Sequence, residues 1–101
     1  PDTEHDVIAN VVLVANLDEA TKVNELREVE DRIRAAFRET AAYPDMTRAK
    51  PESRFSLSLL GTEIHTHMAQ VESVKFIVGG KVQEDIISDL EQPRLKTLTV
   101  R

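Results

Sequence analysis

Residues 7–17 (VIANVVLVANL) constrain the fold more than any other part of the chain. The run is rich in β-branched residues and holds neither glycine nor proline, so it reads as a strand. Side chains alternate along a strand. Val7, Ala9, Val11, Leu13, Ala15 and Leu17 therefore share one face, and Ile8, Val12 and Val14 share the other with Asn10 and Asn16. Both faces are largely apolar. That suits a strand in the middle of a sheet or at an interface.

A helical periodicity follows. Val23, Leu26, Val29, Ile33, Ala36 and Phe37 recur at three- and four-residue steps, and Thr21 or Asn24 is placed to cap the start. The opposite face pairs Glu28 with Arg32 and Glu30 with Arg34, acid four residues before base. Such pairs add only about 0.3–0.5 kcal/mol each. The charge run reads as a solvated helix face or as a docking face. Residues 41–54 (AAYPDMTRAKPESR) form the one long connection, where Pro44 and Pro51 forbid a continuous helix. Arg48, Lys50 and Arg54 make it locally basic. It reads as a solvent-exposed linker, or as a contact for an acidic partner.

Residues 55–59 (FSLSL) alternate strictly and predict a short half-buried strand, broken by Gly61. Thr62 reads as the N-cap of a second helix over 62–71, with Glu63 in its first turn and Ile64, Met68 and Val71 at helical spacing. Residues 74–78 (VKFIV) predict a strand, Gly79-Gly80 a hairpin turn, and 81–87 the returning strand. A turn at 89–93 precedes a closing strand over 94–101 (RLKTLTVR). The order β-α-loop-β-α-β-β-β predicts an α/β (α+β) two-layer sandwich. A mixed four- to five-stranded sheet would carry two helices on one face, ferredoxin-like in style. The first two strands would run parallel across a right-handed crossover.

With 101 residues the chain reads as a single domain over 1–101, with an acidic start at 1–6 carrying Asp2, Glu4 and Asp6. The absence of cysteine excludes disulfides, thiolate metal sites and cysteine nucleophiles. A net charge of -5 argues against general binding to a phosphate backbone. Three phenylalanines, one tyrosine and no tryptophan make no base-stacking platform. The longest apolar stretch, 11–15, is too short to span a bilayer. The start at Pro1 fits a processed initiator methionine or a piece of a longer protein. The expected location is cytoplasmic or within an assembled particle, with a secreted or envelope location left open.

Candidate chemistry is sparse. His65 and His67 are the one histidine pair. On a helix they point about 200° apart and cannot chelate one metal, whereas on a strand they would share a face. They are therefore weak metal candidates. Ser56 and Ser58 lie on the polar side of an alternating segment with no G-x-S-x-G turn around them. Glu84-Asp85 reads as solvated surface beside a turn. Gly79-Gly80 lacks both the G-x-x-x-x-G-K pattern and a following helix. No cofactor is expected, and an interaction module fits these residues better than an enzyme.

Residues 59–74 (LLGTEIHTHMAQVESV) resemble the C-terminal region of baseplate J-like proteins, wedge components of contractile phage tails and related injection systems. Thr62, Glu63, Ile64, Met68, Val71 and Val74 occupy the family's cap, acid and apolar places, while Ser73 replaces its usual glycine. Leu90, Pro93, Leu95, Leu98 and Val100 resemble its closing strand. The opening strand, the helix and the proline-bearing loop follow the family's order. The resemblance implies a structural assembly module in a tail-like particle. Its partners would be protein subunits, including copies of itself, with no nucleic acid and no membrane span. Glu28, Arg32, Arg48, Lys50 and Arg54 are the candidate contacts. Residues 71–81 (VESVKFIVGGK) also resemble the strand-turn of the sporulation and germination GerMN domain, which implies a ring-forming envelope module. A small-ligand or metal-binding regulatory domain is the third reading.

Overall fold

The computed structural model describes residues 2–101, so Pro1 of the acidic start lies outside the described residues. The elements run β1 (Asp2–Leu13), α1 (Glu19–Ala36), β2 (Arg54–Ser56), α2 (Leu57–His67), β3 (Val71–Val78), β4 (Lys81–Val82), β5 (Asp85–Ile87) and β6 (Gln92–Val100). Strands in the order β4-β3-β1-β6 form the main sheet, and β2 with β5 forms a small second one. Helix α1 packs against β6 and α2 against β3. The architecture is the α+β two-layer sandwich that the element order predicts.

The doubly apolar strand lies inside the sheet. β1 pairs antiparallel with β3, Ala9 opposite Phe76, and parallel with β6, Val7 opposite Leu98. Val7 and Ala9 are fully buried, and Val11 and Leu13 pack against the core. The strand starts at Asp2, before the apolar run begins, because its polar first half forms a ribbon with β6. It ends at Leu13. Asn16 then takes φ +69° in a turn, which leaves Ala15 and Leu17 outside the strand. The parallel neighbour of β1 is β6, not the second strand of the chain. β2 is only three residues long and pairs with β5, whereas β6 offers Leu95, Leu98 and Val100 to the same core.

Helix α1 begins one turn before the predicted caps. Asp18 is the N-cap, its Oδ1 accepting from the Thr21 N–H at 2.7 Å, so Thr21 and Asn24 lie within the helix. At the other end Arg38 N–H donates to Ala35 O and Glu39 N–H to Arg34 O. This is the Schellman pattern, with Arg38 at φ +67° where glycine is usual. Phe37 meets Phe55 edge-to-face at 5.3 Å, tying the end of α1 to β2.

The region 54–71 departs most from the sequence reading. The strand covers only Arg54–Ser56, and the helix starts at Leu57 instead of after Gly61. Leu57, Leu60, Gly61 and Ile64 are buried at helical spacing, a pattern that outweighs the short alternation before it. Ser56 caps the helix by accepting from the Leu59 N–H at 3.0 Å. The Glu84 carbonyl accepts from the Leu57 N–H at 2.7 Å and from the Ser58 N–H at 3.2 Å. Thr62 is no cap: its hydroxyl donates back to Ser58 O at 3.0 Å. Gly61 is a contact residue, because a Cβ there would stand 3.1 Å from the Val74 carbonyl oxygen of β3. Val71, read as the end of the helix, opens β3.

Gly79 and Gly80 form the expected hairpin, with φ +61° and +84° between the paired residues Val78 and Lys81. The returning strand is split. It stays on β3 for Lys81–Val82, then leaves so that Glu84 can cap α2 and Asp85–Ile87 can pair with β2. The 41–54 connection is anchored and is not a solvated linker. Met46 and Ala49 sit in the core, Ala49 N–H donates to Ala36 O at 2.8 Å, and Thr47 N–H donates to Glu63 Oε1 at 2.8 Å.

Two outcomes follow for stability. Gly61→Val should lower the unfolding free energy in urea by about 1–3 kcal/mol, since the β3 backbone cannot yield to the added atoms. Gly61→Ala should give none of the roughly 1 kcal/mol that helix propensity offers. Asp18 titrates below the ordinary aspartate range, chiefly because its carboxylate accepts from the Thr21 backbone N–H. A lowered folded value means that the cap's contribution is present above the unfolded value and is lost as pH falls through the folded one. NMR titration should place Asp18 below an aspartate in an unstructured peptide. Asp18→Asn, which still caps, should remove that part of the acid sensitivity.

Candidate functional site

The five candidate contact residues do not converge on one surface. Glu28 and Arg32 pair on α1 at 2.9 Å, and Arg32 is largely covered. Its guanidinium carbon stands 4.3 Å from the centre of the Tyr43 ring, so the pair ties the helix to the loop. Arg34 bridges Glu30 at 3.1 Å and Glu39 at 3.0 Å, closing the end of the helix. The charged face of α1 is thus mostly engaged within the chain.

Arg48 is the most engaged of all. Its guanidinium donates to the Ala35 carbonyl, to Thr40 O at 3.3 Å, to Ala42 O at 3.2 Å and to Tyr43 O at 3.3 Å. Ala35 belongs to the last turn of α1, whose carbonyls lack partners inside the helix and carry the negative end of its dipole. The five-donor fork of arginine reaches four carbonyls at once, more than the three donors of a compact lysine ammonium can meet. Arg54 lies further along and pairs with Asp85 across the small sheet at 3.2 Å. Lys50 is exposed, and among the described residues it forms no ion pair. Of the basic loop, only Lys50 is presented to solvent without a partner.

His65 and His67 lie on α2, as the helical reading requires. His65 Nδ1 is 2.7 Å from the Val71 carbonyl, an acceptor, so that nitrogen carries the hydrogen. His67 is exposed in the last turn. Among the described residues no group of three or more His, Cys, Asp or Glu side chains gathers in a metal-binding arrangement. A hollow of about 280 Å³ between α2 and β3 is lined by Ser58, Thr62, His65 and Glu72. Ser58 and His65 share no hydrogen bond in it, and a serine nucleophile needs a base within hydrogen-bond reach. Ser56 is engaged as the helix cap.

The less obvious surface is the outer face of the main sheet. Both helices pack on the face that carries Val7, Ala9 and Phe76. The other face carries Ile8 opposite Ile77, and Ile77 opposite Val82, so three apolar residues lie in one row across three strands. Val82 is 71% exposed, and Val12, also on this face, is 51% exposed. Asn10 faces Lys75 one row away, and Arg101 donates to Asn10 Oδ1 at 3.1 Å. On the other side of the apolar row stands Asp6, which accepts from the Thr97 hydroxyl at 2.8 Å. The second apolar parity of residues 7–17 signals this face in the sequence. Which parity meets the helices is a tertiary fact.

Comparison with protein-family models, with known proteins and with solved structures finds no match for this chain. Its function is therefore read from its own residues. Among the described residues no helix is long and apolar enough to cross a membrane.

Arg48→Lys should cost about 1.5–3 kcal/mol, the scale of hydrogen bonds to a charged group, because a lysine cannot hold the same carbonyls. Hydrogen exchange in 38–47 should quicken in that variant. Lys50→Glu, which removes no partner, should stay within about 0.5 kcal/mol of the parent.

Proposed function

We propose that this chain is a non-enzymatic assembly module, one that binds neighbouring protein subunits through a surface of the folded domain. The single observation that carries this reading is the uncovered sheet face, where Ile8, Ile77 and Val82 lie in register outside the core. A sheet with one solvated face ordinarily alternates apolar inward with polar outward. This row departs from that rule, and packing inside the chain does not call for it.

The resemblance to the C-terminal region of baseplate wedge proteins supports the same reading and names the kind of assembly. The closing segment lies beside the opening strand, with Leu95, Leu98 and Val100 turned toward the shared core. The place of Thr62 is the weak point of that resemblance, since it lies inside α2 and Ser56 does the capping. The contacts we assign are the open face and Lys50. Arg32 and Arg48 tie α1 to the loop after it, and Arg54 is occupied by Asp85 at the surface.

Mass photometry or sedimentation of the chain, alone and mixed with candidate wedge subunits, tests the proposal. Stable complexes are expected, with the isolated fold unchanged by circular dichroism. A strict monomer that recruits no subunit would overturn it.

A further inference from the structure

We propose that the open face of the β4-β3-β1-β6 sheet docks against the same face of a second copy of this chain. This deepens the assembly reading by naming the partner, and it rests on that reading.

The face is divided by charge along the strand direction. On one side of the Val82–Ile77–Ile8 row the exposed residues of β1 are Asp2, Glu4 and Asp6; on the other stand Lys75 and Arg101, flanking Asn10. Asp2 is offset by Arg94 at 3.6 Å; among the described residues the Asp6 carboxylate meets only the Thr97 hydroxyl, and Lys75 forms no ion pair. A two-fold axis between the faces, parallel to the apolar row, sets that row on its own copy. The same operation places the partner's Asp6 over Asn10, between Lys75 and Arg101. Each copy thus supplies the charge the other lacks, as a two-fold interface requires.

Edge-to-edge pairing, the other common route for sheets, is hindered at each edge. β6 carries an extra residue, Lys96, where its register with β1 shifts between His5 and Asp6. β4 is only two residues long, and α2 lies against β3 at Gly61. A bulge with a lysine, a very short edge strand and a covering helix are all devices that block strand addition.

The size of the face sets the strength. Three strands about 4.8 Å apart and roughly six residues deep, with the two residues of β4 beside them, present about 320 Å² per copy. The total lies below the standard range for specific interfaces, so a weak, transient dimer is expected.

Sedimentation equilibrium of the chain from about 10 μM to 1 mM, at low and high salt, is the test. A monomer–dimer equilibrium is expected, weakened several-fold by salt. Ile77→Asp should raise the dissociation constant at least tenfold with an unchanged circular dichroism spectrum. Asp6→Lys and Lys75→Asp should each weaken the dimer, and the double exchange should restore it, which a mere loss of fold would not do. A dimer indifferent to Ile77→Asp, or a double exchange that restores nothing, would overturn the inference. A chain monomeric at 1 mM that still binds a wedge subunit overturns the self-pairing and leaves the assembly reading standing. A monomer that binds no subunit overturns both.

Discussion

The pairing of β1 on both of its edges is the constraint on which the rest of the structure depends. Its first half, Asp2–Asp6, pairs in register with β6 and not with β3, whose register begins at Val7. Its second half is held by both neighbours. β6 comes from the far end of the chain, so the sheet closes only when the first and last segments meet. Contacts of that sequence separation require loop closure before they reward folding. Once formed, they supply the surface of Leu95, Leu98 and Val100 on which α1 packs. Without β6, both the N-terminal ribbon and the bed of α1 would be lost together.

A second constraint acts at the end of α1. The helix stops in a left-handed residue that is not glycine, and the loop after it has two buried anchors, Met46 and Ala49. A backbone buried in a loop needs partners for its polar groups. Arg48 supplies them from one side chain, Glu63 satisfies the Thr47 N–H, and Arg38 Nε donates to the Ala49 carbonyl. The place of Arg48 in this loop is thus explained by folding. Counting charges overstates what the loop can offer a partner, because an arginine that holds carbonyls is no longer free to hold a carboxylate.

This explains which parts of the molecule were legible in the sequence. Residues 7–17 announced a central strand through their composition, and Gly79-Gly80 announced a hairpin through the one backbone conformation that glycine enters freely. Both signals are local. The start of α2 was not legible in the same way, because the strand period of 55–59 overlaps the start of the helical set Leu57, Leu60, Gly61 and Ile64. What decides it is the Glu84 carbonyl at the helix N-terminus and the close approach at Gly61, both of which come from distant segments. The pairing of β5 with β2 and the parallel place of β6 are long-range in the same sense. As for the candidate site, Arg32 and Arg48 are engaged with their own chain around Tyr43, and Arg54 pairs with Asp85 at the surface, none of which residue type alone discloses. The open face was present only as the second apolar parity of β1.

That second parity is what the folding of the domain leaves over. Strand propensity explains a β-branched residue at any one of positions 8, 77 or 82. It does not explain why the three meet across neighbouring strands while the adjacent row holds Asn10 and Lys75. Cross-strand contact among them stabilises the sheet by up to about 1 kcal/mol per pair, but it leaves Val82 facing water. Removing such a row from water takes a surface on the far side, and neither helix reaches there. The same strand that organises the core therefore carries, on its other face, an apolar row that the packing of the two helices leaves uncovered.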